Sequence, residues 1–286
     1  MSDRTTVRAR PGFFAAPRAG IGLAVFLNAG DPPLSQLPDL VTALEESGVD
    51  CLELAVPFPD SVTDGPVIRR SARRALAAGT TPDDVLACVG RVRDRLTRLR
   101  IAVLADWAHT VRPAGHAEFL RRTRDAGADA LLVHGLPPML RARHHGMAHD
   151  LGVPLVTTCY PTSPPATVAE SAANATAYLY LVAHQGRTGT TAPEGFDHLA
   201  GVLRTLRSAT AVPVAVGFGV RGRADVAALA NVGADAAVLG TAAVAVVEHA
   251  LTDGSDVAAA LRAFVTDLRQ TSPPAAPLPH PGKERG

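Results

Sequence analysis

A single carboxylate, Glu53, interrupts the apolar run CLELAV at residues 51–56. Such a run is typical of a strand buried on both faces, where an unpaired charge is costly unless its pKa shifts and the group becomes neutral. A carboxylate in that setting is suited to proton transfer, so Glu53 is a candidate for a chemical role. The alternative is an internal structural carboxylate paired with an arginine.

Three glycine-bearing turns have the composition of an anion site. They are GRTGTT, GFGVRG and LGTAAV, at residues 186–191, 217–222 and 239–244. Glycine lets backbone N–H groups approach an anion closely, and a helix after the last turn can direct its positive N-terminus there. The pattern predicts a phosphate cradle, and the alternative is glycine used only for tight turns. GFGVRG also matches a dinucleotide fingerprint, but Asp235 precedes its strand instead of ending it.

Composition excludes several classes of chemistry and partner. The only lysine, Lys283, lies in the proline-rich stretch 271–286. The folded body therefore lacks the amine that Schiff-base aldolases and pyridoxal phosphate enzymes require, and we expect no cofactor. A net charge of +1 gives no reason to expect nucleic acid or an anionic membrane as a partner.

The cysteines and the apolar segments indicate a compartment. Cys51, Cys88 and Cys159 are spaced too widely for a zinc knuckle, which favours buried free thiols in a reducing cytoplasm. The N-terminal residues do not have the pattern of a signal peptide, and no apolar run is long enough to predict a membrane span.

The elements that must position these residues alternate regularly. Eight short apolar runs are separated by helix-like stretches, several of which end at glycine, as in SGVD, AGAD and VGAD. This order predicts a single α/β domain, a closed (β/α)8 TIM barrel over residues 20–270, between a flexible segment 1–19 and a disordered tail 271–286. Two extra helices are expected near 66–78 and 255–269. The eight runs lie at 21–27, 51–56, 100–105, 129–135, 154–159, 177–183, 212–219 and 235–240.

Period-two alternation orients the second strand. Leu52, Leu54 and Val56 should face the surrounding helices, while Glu53 should face the barrel axis between two small neighbours. Active sites of this fold gather at the C-terminal ends of the strands, where the next loop carries Asp64.

Several motifs together resemble the tryptophan synthase alpha chain family over about residues 20–270. The resemblance is densest in AGDP (29–32), LELAVPFPDSVTDGP (52–66), ALAAGTTP (75–82), YLYL (178–181), GRTG (186–189), GFGV (217–220) and LGTA (239–242). The resemblance implies a carbon–carbon lyase that cleaves indole-3-glycerol phosphate to indole and glyceraldehyde 3-phosphate without metal or cofactor. It also implies a beta chain carrying pyridoxal phosphate as partner.

The resemblance assigns roles to individual residues. It places the general acid/base at Glu53, the carboxylate that senses the indole N–H at Asp64, and a supporting aromatic at Tyr180. Substrate-binding positions are Phe26, Asn28, Trp107, His134 and Thr188, and Thr188 belongs with Gly189 to the mobile loop that closes the site. Phosphate-binding positions are Gly189, Gly217, Gly219, Gly240 and Thr241.

This chain departs from the family pattern around the indole pocket. Trp107 stands near a customary tyrosine, Asp106 is an unexpected charge, and His134 replaces a small residue. Other departures are Asn28 in place of threonine, His109 in place of an asparagine that contacts the beta chain, and Ser61 in place of a proline after Asp60. We expect Trp107 and His134 to face the barrel mouth and to set the size and polarity of the non-phosphate half of the site.

Three hypotheses follow. The leading one is an indole-3-glycerol phosphate lyase, favoured by Glu53, Asp64 and the glycine turns. The second is a related enzyme of secondary metabolism, a lyase, isomerase or cyclase acting on a different phosphorylated substrate. The third is a non-catalytic subunit that activates a partner. An alternative role for Asp106 with His134 is to bind a divalent metal. The adjacent His144 and His145 are expected to be solvated.

Overall fold

The structure, a computed structural model, describes residues 12–14, 20–183 and 195–269. Eight parallel strands form one sheet in the order β4-β3-β2-β1-β8-β7-β6-β5. A bridge between Leu131 and Leu155 joins the two outer strands, so the sheet curls into a barrel. The predicted (β/α)8 fold is confirmed. The strands are β1 Gly22–Asn28, β2 Cys51–Ala55, β3 Arg100–Asp106, β4 Ala130–His134, β5 Val156–Cys159, β6 Tyr178–Val182, β7 Val214–Gly217 and β8 Ala236–Leu239.

Helices follow the strands around the outside of the barrel, and the two extra helices predicted from the sequence are α2 and α11. Each described helix is too short or too polar to span a bilayer. The helices are α1 Leu37–Glu46, α2 Pro66–Ala77, α3 Pro82–Arg93, α4 Arg112–Ala114, α5 His116–Asp125, α6 Arg141–Leu151, α7 Pro165–Asn174, α8 Leu199–Ala209, α9 Arg223–Val232, α10 Thr241–Asp253 and α11 Val257–Arg269.

Glycines end three of these helices as the sequence predicts. Gly48, Gly127 and Gly233 have φ angles of 86°, 76° and 91°, a region that favours glycine because it has no Cβ. Each reverses the chain just before an acidic residue that precedes the next strand. The result is a short and regular connection from each helix into the barrel.

The strands bury their two faces in two different clusters. Leu52, Leu54 and Val56 pack in the large core between the strands and the helices. Cys51 belongs instead to the barrel interior, together with alanines such as Ala24 and Ala102. The predicted alternation of β2 is confirmed, and it directs Glu53 toward the barrel axis.

Aromatic rings fill the N-terminal end of this interior. The alanines of the interior cluster are too small to fill it, and the ring of Tyr178 lies 5.3 Å from the rings of both Phe13 and Phe14. Phe13 is buried. These two phenylalanines fall in the segment 1–19 that the sequence predicts to be flexible, and aromatic packing holds them against Tyr178. The predicted tail 271–286 and the positions 1–11 and 15–19 lie outside the described residues.

An ion-pair network fixes α2 beside the β1 end of the barrel. Arg74 donates bidentately to Asp31 and also contacts Glu248 on α10, which Arg70 binds as well. The hydrogen bond from Arg70 and the further one from Arg74 hold the pKa of Glu248 down at about 2. The network joins the loop after β1, α2 and α10, which all border the C-terminal end of the barrel.

Candidate active site

A cavity of about 450 Å³ opens at the C-terminal ends of the strands. That volume lies within the range of small-molecule sites. Most of its lining is apolar, but three carboxylates reach it, those of Glu53, Asp64 and Asp106, and one arginine, Arg221. The cavity therefore combines a place for an apolar ring with a few groups able to transfer protons or to bind charge.

Glu53 lies at the floor of the cavity, and it is 1% exposed. The hydroxyl of Tyr178 donates a hydrogen bond of 2.5 Å to its Oε1. Burial raises the pKa of Glu53 to about 7, and the hydrogen bond from Tyr178 opposes that rise. No arginine contacts Glu53 among the described residues, so the alternative of an arginine-paired structural carboxylate has no support. A carboxyl group with a pKa near neutrality can both give and accept a proton.

Tyr180 and Asp64 flank Glu53 in the cavity. Burial raises the pKa of Tyr180 well above its usual value, and the nearby charges of Glu53 and Asp64 add to the rise. The Tyr180 hydroxyl therefore stays protonated and can donate a hydrogen bond. An added Cβ at Gly217 would lie 2.0 Å from that hydroxyl. Gly217 was predicted to bind phosphate, but it does not line the cavity, and the close approach of Tyr180 explains why glycine is required there.

The end of the cavity that the sequence predicts to bind phosphate is built after β7 and β8. Gly219, Gly240 and Thr241 line it, and α10 begins at Thr241 directly after Gly240. Gly219 has a φ of 84°, in the region that favours glycine. Arg221 also lines this end. Its backbone N–H is held by Asp225, whose carboxylate lies 3.6 Å from the guanidinium Nε.

Polar and aromatic residues line the end formed by β3 and β4. Asp106 and His134 end these two strands, are partners in the strand register and both line the cavity. Oδ1 of Asp106 accepts hydrogen bonds of 2.8 Å from both the backbone N and Nδ1 of His109. Phe58 stacks on His109 and on His134, with ring centroids 5.5 and 6.3 Å apart.

The remaining predicted substrate-binding residues divide into three groups. Phe26 and Asn28 line the cavity, although the Asn28 amide also donates to Ser71 and to the carbonyl of Ile68 in α2. Trp107 does not line the cavity, contrary to the expectation that it faces the barrel mouth. The positions Thr188 and Gly189 lie outside the described residues.

Trp107 directly follows the inward-facing Asp106, so the alternation of β3 directs it toward the outer core. Residues Trp107–Val111 form a π-helical turn capped by the side chain of Asp106. The indole ring packs edge-on against His116, with centroids 4.9 Å apart. Asp106, the last residue of β3, faces the barrel interior, as period-two alternation predicts for the strand end.

His144 is not solvated, which corrects the expectation for the pair His144 and His145. It is 3% exposed, and its Nδ1 lies 2.8 Å from Nε2 of His116. Burial and, to a smaller extent, the neighbouring histidines His116 and His145 lower the pKa of His144 to about 4. His145 is half-buried, and burial lowers its pKa as well. The ring of His144 packs against His116 on α5, and the ring of His145 packs edge-on against His144.

Sequence reasoning missed two functional candidates, Tyr178 and Arg221, although each left a signal. The alternation in AYLYLVA directs Tyr178 inward together with Tyr180, and this indicates a possible partner for Glu53. Arg221 stands inside the glycine turn GFGVRG. Asp106, an unexpected charge in the sequence near the indole pocket, lines the cavity. In the described part of the chain, no three His, Cys, Asp or Glu side chains are grouped to hold a metal ion.

Comparison with known proteins agrees with this geometry. A family model described as tryptophan synthase alpha chain matches residues 16–273. The tryptophan synthase alpha chains of Burkholderia mallei (strain NCTC 10229) and Burkholderia multivorans (strain ATCC 17616 / 249) are each 38% identical to this chain over 248 residues, which is 87% of this chain and 90% of each relative.

Solved structures show the same similarity in the fold. Tryptophan synthase subunit alpha from Legionella pneumophila has a TM-score of 0.77 at 27% identity, covering 87% of this chain and 91% of that chain. A chain of the tryptophan synthase complex from Pyrococcus furiosus has a TM-score of 0.75 at 27% identity, covering 86% of this chain and 97% of that chain. Because the family model matches most of the chain and the relatives are 38% identical over most of its length, the chain belongs to the tryptophan synthase alpha chain family.

Proposed function

We propose that Glu53 is the general acid/base of this enzyme. As a member of its family, the chain is a carbon–carbon lyase that cleaves indole-3-glycerol phosphate to indole and glyceraldehyde 3-phosphate. The observation that carries the proposal is the position of Glu53, buried at the floor of the cavity beside Tyr178, with a pKa raised to about 7 by burial. A group of that pKa is populated in both protonation states at neutral pH, as two successive proton transfers require.

The reaction needs two proton transfers. Glu53 in its protonated form delivers a proton to ring carbon C3, which places positive charge on the ring nitrogen. The resulting carboxylate then takes the proton of the hydroxyl on the adjacent chain carbon. The bond between that carbon and C3 breaks, its electron pair neutralises the ring, and the hydroxyl carbon becomes the aldehyde. The indole ring thus takes the place of the electron sink that a Schiff base provides in other aldolases.

The other cavity residues bind the two ends of the substrate. Asp64 accepts the indole N–H, which becomes more acidic as charge develops on the ring, and Tyr180 supports the two carboxylates. Phe26 packs on the ring. The glycine turn at Gly219 and the start of α10 bind the phosphate through backbone N–H groups. These roles are supported by the shared cavity that all of these residues line.

Arg221 adds a positively charged side chain to this phosphate end. Among the described residues it is the only arginine that lines the cavity, and the chain has no lysine in its body. A guanidinium group can donate two hydrogen bonds to phosphate oxygens. We therefore include Arg221 in the phosphate site.

A beta chain that carries pyridoxal phosphate is the proposed partner. Support comes from two exposed apolar side chains, Val62 on the loop after β2 and Met139 after β4, both on connections that follow the C-terminal ends of strands. We place the enzyme in the cytoplasm, because its three cysteines are buried free thiols, as a reducing compartment allows.

The first test is incubation of the purified protein with indole-3-glycerol phosphate and measurement of free indole. We expect Glu53→Gln to fold normally and to lose at least about 100-fold in kcat, the usual scale for loss of a general acid/base. Glu170→Gln is the matched control, because Glu170 lies on the outside of the barrel in α7. Near-normal turnover by Glu53→Gln would reject Glu53 as the proton carrier.

A further inference from the structure

We propose that the end of the cavity at β3 and β4 recognises a hydroxyl group on the benzene ring of the substrate, so that a ring-hydroxylated indole-3-glycerol phosphate is preferred to the unsubstituted compound. The inference rests on the proposed function and names the substrate class of the same site. It is carried by Asp106 and His134, which line the cavity although the proposed proton transfers do not use them.

The strand order places these two residues opposite the phosphate site. In the barrel, β3 lies across from β7, and β4 lies across from β8. The phosphate turns at Gly219 and Gly240 follow β7 and β8, while Asp106 and His134 end β3 and β4. A substrate bound by its phosphate at one side therefore directs its ring toward the other. Glu53, on β2, lies in the cavity floor. The substrate bond that is broken then lies above it, between the phosphate end and the ring end of the cavity.

Asp106 offers one unused acceptor atom to the cavity. The side chain is 7% exposed, and Oδ1 already accepts two hydrogen bonds from His109. No described residue donates to Oδ2, which would lie 3.3 Å from a Cβ added at Gly135. Capping of the following turn needs only Oδ1, so Oδ2 stays available to a ligand in the cavity that Asp106 lines. An apolar ring placed against a carboxylate oxygen leaves it without a partner, which costs about 1–3 kcal/mol.

His134 supplies a complementary group beside that oxygen. Residues in register on neighbouring parallel strands point to the same side of the sheet, so the two side chains are neighbours. Phe58 stacks on the imidazole face, which leaves the nitrogen atoms at the ring edge. Within the described ranges, His134 makes no hydrogen bond, and no ion pair joins it to Asp106. A hydroxyl group between them can donate to Asp106 and accept from His134, whereas an unsubstituted benzene ring can do neither.

The surrounding side chains suit an aromatic ring that carries such a group. Leu104 and Leu132 line the cavity next to Asp106 and His134, and Phe58 borders it. Apolar contact with the ring and one pair of polar groups at its edge is the usual arrangement of a specific small-molecule site. The occupant is therefore an indole ring with one hydroxyl group.

The test uses the reverse reaction, the condensation of glyceraldehyde 3-phosphate with an indole. The rates with indole and with 4-, 5-, 6- and 7-hydroxyindole are measured by chromatography of the phosphorylated products. In the wild type we expect at least one hydroxyindole to exceed indole in kcat/KM by about tenfold, the equivalent of one good hydrogen bond to a charged group. We expect Asp106→Ser and His134→Ala each to bring that ratio close to one. Serine keeps the cap on the following turn and removes the free oxygen.

The controls are Asp150→Ser and His149→Ala, which make the same changes at an exposed pair on α6 and should leave the ratio unchanged. A wild type that condenses indole at least as well as every hydroxyindole would overturn this inference and leave the proposed function standing. Persistence of the preference in both site variants would also overturn it. A wild type that condenses neither indole nor any hydroxyindole, and cleaves no indole-3-glycerol phosphate, would reject the proposed function together with the inference. If a variant does not fold, the ratio measured on the wild type still decides.

Discussion

The hydroxyl of Tyr178 lies 2.5 Å from Oε1 of Glu53, and both side chains are buried inside the barrel. The residues are 125 positions apart in sequence. Phe13 and Phe14 pack on the same tyrosine ring from the N-terminal end. The floor of the cavity therefore links the proposed proton carrier to the aromatic packing of the barrel.

Replacement of Tyr178 should move the pH profile of the enzyme. Burial raises the pKa of Glu53 to about 7, and the Tyr178 hydrogen bond opposes that rise. Because the proposed mechanism begins with protonated Glu53, kcat/KM should fall as pH rises through about 7. In Tyr178→Phe the pKa of Glu53 should be higher, so this fall should occur at a higher pH. Profiles of kcat/KM against pH would show it, and an unmoved or lowered limb would contradict the assignment.

Loss of the Arg221 charge should weaken phosphate binding. We expect Arg221→Gln to reduce affinity for glycerol 3-phosphate by about fivefold, a modest effect because the side chain is partly exposed and screened by solvent. Isothermal titration at low and high salt is the measurement, and the difference between the variants should shrink at high salt. Arg223→Gln is the matched control, because Arg223 pairs with Asp267 outside the cavity. Equal affinities in Arg221→Gln and the wild type would remove Arg221 from the phosphate site.

A methyl group at Gly217 should destabilise the protein through Tyr180. An added Cβ would lie 2.0 Å from the Tyr180 hydroxyl and 2.6 Å from its ring carbon, so the ring must move. We expect Gly217→Ala to lower the free energy of unfolding by about 1–3 kcal/mol, the usual cost of overpacking. Tyr180→Phe should recover part of that loss by removing the hydroxyl. Urea unfolding of the two single variants and the double variant gives the coupling, and simple additivity would show that the cost has another cause.

Acid should destabilise the protein through His144. Its pKa is about 4 in the folded protein and near 6.5 when unfolded, so between these values the unfolded chain binds a proton that the folded chain does not. The stability associated with neutral His144 is complete above pH 6.5 and is lost as pH falls toward 4. His144→Asn should therefore flatten the loss of unfolding free energy over that range, and His149→Asn, at an exposed position on the same helix, should not. Equal slopes in both variants would contradict the assignment.

The amino-acid sequence determined the architecture and the central carboxylate. Eight apolar runs of strand length, separated by helical periods that end at glycine, allow few arrangements other than a parallel barrel. Period two within CLELAV placed Glu53 on the inside without any knowledge of its partners, because neighbouring side chains of a strand point to opposite faces. The glycine turns after the last strands predicted an anion site, and three of the residues predicted for it, Gly219, Gly240 and Thr241, line the cavity.

Only the tertiary structure decided which side chains meet. Tyr178 reaches Glu53 because β6 lies across the barrel interior from β2. The residue pattern of a single strand does not show which strand faces it across the barrel. The position of Trp107 outside the cavity agrees with the alternation of β3, which directs Asp106 inward and the next residue toward the helices. His144 lies on a helix that has no apolar stripe in its sequence, so the buried face of that helix is set by packing against His116 on α5. Alternation and periodicity describe one element at a time, and contacts between elements depend on how the closed barrel brings them together.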